Sequence, residues 1–447
     1  MKLKYIYAVA MAVVFTVQAS AQSKVYLDSA TVARIISGKD IAPPTQPTTV
    51  ESRQIDNTSE DAGEDNETTE RFQTDNSLSW EQNIKARLDG ILQSDITQTT
   101  SVGVMVWDLT DDKSLYNYRE RTQMRPASTM KCITAIAALD RLGADYNFKT
   151  SVYYTGTLND STQTLDGDIY CVGGMDPMLS NTDVTAIAEA IKDLGIQNIN
   201  GSIYADLSFK DKNEFGKGWC WDDKNPPLRP LQIGKRDVFL STLKSKLREC
   251  GISHNGIMGE KVLPQGVTLI TERTHPIAQV MYKMMKESNN LYAESMFYQV
   301  AASVGGKWNS VRKGEMVINK LIQKLGLQPR NYNIADGSGL SLYNYVSPEL
   351  EIQLLRYAYK QPNIYPTLLN TLPIAGVDGT LRKRMRGTAA AGNVRAKTGT
   401  VMGVSSLAGY LTASNGHTLC FAIIVNGGMS QAPMRGLQNR ICVALCQ

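Results

Sequence analysis

Two residues three positions apart could form a nucleophile and its base. Ser128 and Lys131 stand at the start of an apolar run, "STMKCITAIAALDRLG", which predicts a buried helix closed by Gly143. Positions three apart share one helix face, so we expect the lysine amine to lie beside the serine hydroxyl. Burial would lower the pKa of Lys131, and a neutral amine can take the proton of a serine. The alternative is a helix-capping serine beside a lysine that reaches solvent.

Two further stretches place polar groups where a substrate could meet them. Ser288 and Asn290 stand at a break between two helical patterns, where a hydroxyl and an amide could face one cleft. An ordinary polar turn is the alternative. On a strand-like run, Lys397 offers a cation, Thr398 a hydroxyl, and Gly399 leaves room for an extended substrate backbone. A surface strand is the alternative for this run.

The elements that must hold these residues come from both ends of the folded body. "SWEQNIKARLDGILQS" has helical spacing, and "SVGVMVWDL" and "SLYNYRE" flank a turn at 110–113, which predicts a β-hairpin. Near the C-terminus, "VRAKTGT", "VSSLAGYLTA" and "TLCFAIIVNGG" predict three strands, and "APMRGLQNRICVALC" predicts a helix. Strands at both ends with helices between them predict one sheet made from distant segments, an α+β fold.

Two regions differ from this body in composition. Residues 22–80 are rich in Thr, Asp, Glu, Asn and Pro, which predicts a disordered acidic linker; a partner-docking tail is the alternative. Within it, "DSATVARII" could form one helix. Residues 151–266 hold short strand-like runs between Gly, Asp and Asn turns, which predicts a β-rich insertion.

The N-terminus predicts export. Residues 1–21 carry two lysines, an apolar core, and Ala19-Ser20-Ala21 before the cleavage point, the order of a secretory signal peptide. No cysteine typical of a lipoprotein lies near, and no later segment reaches the roughly 18 apolar residues of a membrane span. We therefore expect an exported protein without a transmembrane anchor after cleavage. A net charge of +4 over 447 residues, without a basic block, predicts no nucleic-acid partner.

Metal chemistry is not indicated. The seven cysteines include no C-x-x-C pair, the histidines are His254, His275 and His417, and no H-E-x-x-H motif occurs. A metallopeptidase is therefore unexpected, and the sequence predicts no metal and no cofactor. Cys442 and Cys446 share one face of a predicted helix, a poor geometry for a disulfide, so buried free thiols are the preferred interpretation.

The order S-x-x-K, S-x-N, K-T-G resembles that of the active-site serine penicillin-recognising enzymes. Six longer stretches resemble the D-alanyl-D-alanine carboxypeptidase/endopeptidase family of class C low-molecular-mass penicillin-binding proteins: "DIYCVGGMDPMLS", "GWCWDD", "SNNLYAE", "DGSGLSLYNYVSP", "LPIAGVDGTLRKRM" and "VRAKTGTVMGVSSLAGYL". Together they cover most of the chain from about residue 81 onward.

The resemblance implies a transpeptidase/β-lactamase-like domain, an antiparallel sheet flanked by helices. This domain would be formed by residues 81–150 and 267–447, with residues 151–266 as a β-rich inserted domain between its two pieces.

The resemblance also implies a catalytic set. Ser128 would be acylated, with Lys131 as its general base. Ser288 and Asn290 would relay protons and hold the substrate amide. Backbone N–H groups of Ser128 and Thr400 would form the oxyanion hole.

Substrate recognition would fall to the third motif. Lys397 and Thr398 would bind the terminal carboxylate of D-Ala-D-Ala, or of penicillin as its mimic, beside Gly399. The expected partners are peptidoglycan stem peptides and, as covalent inhibitors, β-lactams, in the periplasm or cell envelope.

Two alternatives to a DD-peptidase remain. A β-lactamase on the same fold would need an efficient deacylating base, and no class A-type motif supplies one. An inactive penicillin-binding or wall-binding scaffold would keep the fold and lose turnover. The intact set Ser128, Lys131, Ser288, Asn290 and Lys397 argues against that form.

Overall fold

The computed structural model describes residues 72–223 and 225–447. The predicted signal peptide, the helix predicted in "DSATVARII" and residues 22–71 of the predicted linker lie outside the described residues. From Phe72 onward the chain runs to the first helix, which Ser79 and Gln82 cap through reciprocal side-chain and backbone hydrogen bonds.

The helices and strands follow in chain order. In the described part of the chain the α-helices are α1 (Trp80–Ile91), α2 (Asp95–Thr99), α3 (Met130–Leu142), α4 (Asn181–Asp193), α5 (Phe239–Glu249), α6 (Ile277–Lys286), α7 (Asn290–Ala302), α8 (Val311–Lys324), α9 (Pro348–Tyr359), α10 (Tyr365–Thr371) and α11 (Gln431–Cys446). The strands are β1 (Ser101–Asp108), β2 (Lys113–Tyr118), β3 (Asn147–Tyr154), β4 (Thr157–Asn159), β5 (Thr164–Asp166), β6 (Ile169–Gly173), β7 (Asn198–Ile199), β8 (Ile203–Asp206), β9 (Ser253–His254), β10 (Met258–Glu260), β11 (Thr268–Pro276), β12 (Arg395–Val401), β13 (Val404–Thr412) and β14 (Thr418–Asn426).

The main sheet joins the two ends of the folded chain. Its order is β12-β13-β14-β1-β2, and every neighbouring pair is antiparallel. In its middle, β1 pairs with β14 from Ser101 opposite Asn426 to Asp108 opposite Leu419. The predicted α+β fold with an antiparallel sheet and flanking helices is therefore confirmed.

Both faces of this sheet are buried, which explains the nearly continuous apolar runs of its strands. Along β14, Leu419, Phe421 and Ile423 pack in one core with α1 and α11. The alternate residues Cys420 and Ala422 face a second core, which contains α3, α6, α7 and α9. Because successive side chains of a strand point to opposite faces, one apolar strand serves both cores.

Residues 151–266 contain more helix than the sequence analysis anticipated. A five-stranded sheet of order β10-β8-β6-β3-β11 and a four-stranded sheet of order β4-β5-β7-β9 form here, and α4 and α5 pack in the same core. Of these strands, β3 begins before residue 151, at Asn147, and β11 (Thr268–Pro276) lies entirely after residue 266. The last residue of β11, Pro276, is followed directly by α6, so the five-stranded sheet is connected through the chain to a helix that packs on the main sheet.

The seven cysteines are free thiols, and Cys442 and Cys446 are unbonded. Five of the seven are buried, which fits the packing role of small apolar residues. Within the part of the chain that the structure describes, no helix has the length and apolar character needed to cross a membrane.

Candidate functional site

Ser128 lies in a tight turn that precedes a buried helix. Residues Ala127–Thr129 form a 3-10 turn, and α3 begins at Met130. Ala127 has a left-handed backbone (φ 47°), which costs roughly 1–2 kcal/mol for a residue other than glycine. Gly339 makes room for this turn, because a Cβ there would lie 1.8 Å from the Ala127 carbonyl oxygen. The nucleophile candidate is therefore held by the turn rather than by the regular helix.

Lys131 lies on the first turn of α3 and is fully buried. Its Nζ lies 2.8 Å from Ser128 Oγ, 2.8 Å from Asn290 Oδ1 and 2.8 Å from the Ser338 carbonyl oxygen. A neutral amine has two N–H groups, which fit Asn290 and Ser338, and one lone pair, which can face the serine hydroxyl. The geometry therefore suits transfer of the Ser128 proton to Lys131.

The predicted break between two helices is present, and it presents Ser288 and Asn290 to the same site. Helix α6 ends at Lys286, and α7 begins at Asn290. Asn289 caps α7 by accepting from Tyr292 N, and Ser288 has a left-handed backbone (φ 57°). This turn places Ser288 Oγ 2.8 Å from Lys397 Nζ, while Asn290 Oδ1 accepts from Lys131. The break thus contacts both candidate lysines.

Lys397 and Thr398 lie on β12, an edge strand of the main sheet. Lys397 is fully buried, and besides Ser288 its Nζ contacts the Thr398 carbonyl oxygen at 2.7 Å. Thr398 Oγ1 donates to Thr380 Oγ1 at 2.8 Å. Pro373 and Ile374 already pair with the outer edge of β12 at Arg395 and Ala396. An extended peptide can therefore pair only with the part of this edge that follows Ala396.

Gly399 brings the backbone of β12 against the nucleophile turn. A Cβ at this position would lie 2.1 Å from Ser406 Oγ, 2.7 Å from the Pro126 carbonyl oxygen and 2.8 Å from Ser128 N. No side chain fits there without displacement of the strand or the turn. The close approach places the backbone N–H of Ser128 beside the strand that continues to Thr400.

An open cleft of about 520 Å³ connects these elements. Ser128, Ser288, Asn290 and Thr400 all line it, while Lys131 and Lys397 are buried. Further lining residues come from 220–223 and 225–226, from 340–342 and from the end of β12, together with Arg125 and Lys235. The structure thus brings together all eight residues that the sequence analysis named, although they lie on three separate stretches of the chain.

The loop at 336–344 lies in the stretch "DGSGLSLYNYVSP", which carries the family resemblance, but the sequence analysis gave its residues no role in the site. Two buried carboxyl groups organise it: Glu294 accepts from Gly337 N and Ser338 N, and Asp336 accepts from Gly339 N. Burial, and then the nearby Asp336, raise the pKa of Glu294 to about 8. The loop thereby points the Ser338 carbonyl oxygen at Lys131. The stretch "DGSG" signals a tight loop, but nothing in it indicates a lysine partner.

Two further residues contact the predicted set, and a third contacts the loop at 336–344. Asn225, which belongs to the inserted segment, accepts through its Oδ1 from Asn290 Nδ2 at 3.3 Å. Thr380 accepts from Thr398, as described above. Trp219 Nε1 donates to Asp336 Oδ2 at 2.9 Å, which ties the segment before Cys220 to the loop at 336–344. Trp219 and Thr380 lie in stretches that carry the family resemblance, "GWCWDD" and "LPIAGVDGTLRKRM", whereas Asn225 lies in none of them.

A possible metal-binding group lies elsewhere. Asp108, Asp111 and His417 hold ligand atoms within 4.8 Å of one another, and none of them lines the cleft. His417 Nδ1 lies 2.7 Å from Asp108 Oδ2, and this contact raises the pKa of His417. The pair ties the β13–β14 turn to the end of β1.

Comparison with known proteins gives a consistent result. A family model described as the D-Ala-D-Ala carboxypeptidase 3 (S13) family matches residues 84–233 and 232–446. The D-alanyl-D-alanine carboxypeptidase DacB of Haemophilus influenzae is 27% identical over 423 residues, which cover 75% of this chain and 88% of that protein. A D-alanyl-D-alanine carboxypeptidase of Actinomadura sp. is 27% identical over 463 residues, or 81% of this chain and 84% of that protein.

The solved structures agree. The crystal structure of penicillin binding protein 4 (DacB) from Haemophilus influenzae superposes with a TM-score of 0.73 at 25% identity, and the match covers 80% of this chain and 99% of that chain. The same protein complexed with a β-lactam superposes with a TM-score of 0.67 at 25% identity, covering 79% and 98%.

Proposed function

This chain belongs to the D-Ala-D-Ala carboxypeptidase 3 (S13) family, and we propose that it is a serine DD-peptidase that uses Ser128 to cleave the D-alanyl-D-alanine ends of peptidoglycan stem peptides. The observation that carries the proposal is the contact of Lys131 Nζ with both Ser128 Oγ and Asn290 Oδ1, each at 2.8 Å. A buried amine between a cleft-lining hydroxyl and an amide has the arrangement of a general base.

Acylation proceeds from this contact. Lys131 takes the proton of Ser128, and Oγ attacks the carbonyl carbon of the D-Ala–D-Ala bond. The oxyanion that develops accepts from the backbone N–H groups of Ser128 and Thr400, which the glycine at 399 allows to approach each other. Collapse of this intermediate leaves an ester on Ser128 and expels the terminal D-alanine.

Departure of D-alanine requires a proton on its nitrogen. Ser288 Oγ is placed to deliver one, because it lies 2.8 Å from Lys397 Nζ and lines the same cleft as Ser128. The proton that Lys131 took from Ser128 replaces the one that Ser288 gives up, so Lys131 is neutral again. Water then attacks the ester, Lys131 removes a proton from that water, and this proton returns to Ser128 Oγ as the ester breaks. The products are the shortened peptide and free D-alanine, and the same acyl step applies to a cross-link cut by an endopeptidase.

Recognition of the substrate carboxylate falls to β12. Lys397 and Thr398, both buried, place an ammonium and a hydroxyl on β12 beside the cleft, and Asn290 can hold the backbone amide of the peptide. A β-lactam carries a carboxylate next to a strained amide, so it would enter the same site and acylate Ser128. The Haemophilus influenzae structure with a bound β-lactam supports this part of the proposal.

Release of D-alanine from a peptide ending in D-Ala-D-Ala tests the function. We expect the wild-type chain to release it, Ser128→Ala to release none, and Lys131→Ala to be slower by about 10²- to 10⁴-fold. Ser161→Ala is the matched control, because Ser161 is exposed on a turn of the inserted segment. Release by Ser128→Ala at the rate of this control would refute the proposal.

Export is part of the same proposal. Residues 1–21 have the order of a signal peptide, and the substrate of a DD-peptidase lies outside the cytoplasmic membrane. We propose cleavage after Ala21 and residence in the periplasm or cell envelope. The N-terminal sequence of the protein isolated from cells tests it; a chain that still begins at Met1 would contradict cleavage.

A further inference from the structure

Glu351 is a buried acid directly behind the nucleophile turn. It lies on α9 and is 1% exposed, and its Oε1 lies 2.5 Å from Oγ1 of Thr129, the residue that follows Ser128. The two residues are 222 positions apart in the chain. No motif contains Glu351, and the mechanism above does not use it.

The Thr129 hydroxyl has one proton and two neighbouring acceptors, which allows two arrangements of this network. Thr129 Oγ1 also lies 2.9 Å from the Pro126 carbonyl oxygen, which can only accept. A hydroxyl has one proton, so Thr129 donates either to Glu351 Oε1 or to the Pro126 carbonyl oxygen, and in the second arrangement it must accept from Glu351. Glu351 can donate only as a carboxylic acid.

The surroundings of the second carboxyl oxygen agree with a neutral acid. Glu351 Oε2 is buried and makes no hydrogen bond with any described residue. An ionised oxygen in that position would lose its hydration without compensation. Burial accordingly raises the pKa of Glu351 to about 8, against a smaller opposing effect of the Thr129 contact.

The hydrogen bonds from Glu351 and Thr129 lead to the Pro126 carbonyl oxygen, next to the left-handed backbone of Ala127. The Pro126 carbonyl oxygen accepts from both Thr129 and Ser406, and the next residue is Ala127 with its left-handed backbone. Two donors on this carbonyl fix the peptide that leads into Ser128. Since a displacement of about 1 Å near reacting atoms can cost about 100-fold in rate, the orientation of this peptide matters for catalysis.

We propose that Glu351 is a positioning residue that acts as a neutral acid. It donates to Thr129, Thr129 donates to the Pro126 carbonyl oxygen, and these two hydrogen bonds orient Ser128 toward Lys131. The inference rests on the proposed role of Ser128. It assigns no contact between Glu351 and the substrate.

The test compares rates of acylation by a fluorescent penicillin. A glutamine amide can donate as the acid does, so Glu351→Gln should stay within about threefold of wild type. Glu351→Met fills the space and leaves Thr129 without a donor, so it should be slower by about 5- to 100-fold. Glu349→Gln, two residues earlier on α9, is the matched control and should acylate at the wild-type rate.

Second measurements keep the proposal refutable if Glu351→Met folds poorly. Thr129→Val should lose acylation rate as Glu351→Met does, and Thr129→Ser should restore it. The infrared difference spectrum between wild type and Glu351→Gln near pH 6 should contain the carbonyl band of one protonated carboxylic acid. Absence of that band, wild-type acylation by Glu351→Met, or equal losses in Glu351→Gln and Glu351→Met would each overturn the proposal. If wild type is not labelled at Ser128, the proposed function fails instead, while the infrared band still reports on Glu351.

Discussion

Replacement of Gly399 by alanine perturbs the site by the smallest possible addition, one methyl group. Its Cβ would lie 2.7 Å from the Pro126 carbonyl oxygen and 2.8 Å from Ser128 N, whereas ordinary contacts begin at 3.4 Å. Ser406 Oγ, at 2.1 Å, cannot turn away without losing its hydrogen bond to Pro126. Strand β12 and the nucleophile turn must therefore separate by roughly 0.6–0.7 Å.

The size of this separation allows an estimate of its effect on the acylation rate. Loss of one oxyanion-hole donor costs about 10²- to 10³-fold, and a displacement of about 1 Å near the reacting atoms costs about 10²-fold. We therefore expect the acylation rate of Gly399→Ala to fall by about 10²-fold. Overpacking should also lower the free energy of unfolding by about 1–3 kcal/mol, which leaves the chain folded.

The assay is the rate of labelling by a fluorescent penicillin, together with a thermal melt. Gly259→Ala on β10 is the matched control, since a Cβ there meets nothing within 4 Å. It should label at the wild-type rate. Labelling of Gly399→Ala at that same rate would show that β12 does not press on the nucleophile turn, and the reasoning about the oxyanion hole would be wrong.

Two further predictions concern the edge of the site and the stability of the fold. Thr380→Val removes the acceptor of Thr398 Oγ1, so it should raise KM for a D-Ala-D-Ala peptide by about 3- to 10-fold with kcat little changed. Thr380→Ser keeps a hydroxyl and should restore the wild-type KM. Equal kinetics in wild type and both variants would exclude a positioning role for Thr380. The contact with Asp108 raises the pKa of His417 above its ordinary value of 6.5. The stability that this contact adds is therefore complete below about pH 6.5, and it is lost as the pH rises through the raised pKa of the folded state. His417→Gln should therefore lower the Tm more at about pH 5.5 than at about pH 9, and a Tm difference that is larger at pH 9 would contradict the pairing.

Local sequence patterns predicted the main sheet because its elements are long and regular. The hairpin of β1 and β2, the three C-terminal strands and the last helix all lie where alternation and spacing placed them. Helices α4 and α5 were not predicted, although Val184, Ile187 and Ile191 have helical spacing after the cap at Ser180. Because Gly, Asp and Asn turns flank α4 on both sides, the sequence pattern of this region resembled a series of short strands.

The catalytic motifs could be found from the sequence because each is local. Ser128 and Lys131 lie three residues apart across the start of α3, and Ser288 and Asn290 lie in one break between two helices. The supporting contacts could not be found, because they join distant positions: Lys131 reaches the Ser338 carbonyl across 207 residues, and Thr129 reaches Glu351 across 222. Such pairs are fixed only when the helices pack.

The most direct test of the central claim is the intact mass of the purified protein with and without benzylpenicillin, followed over hours in wild type and in Ser128→Ala. The account predicts that wild type gains the mass of one penicillin on the peptide containing Ser128, that the adduct persists, and that Ser128→Ala gains nothing. An adduct on another residue, or none at all, would contradict it. Rapid loss of the adduct with consumption of penicillin would show a β-lactamase instead.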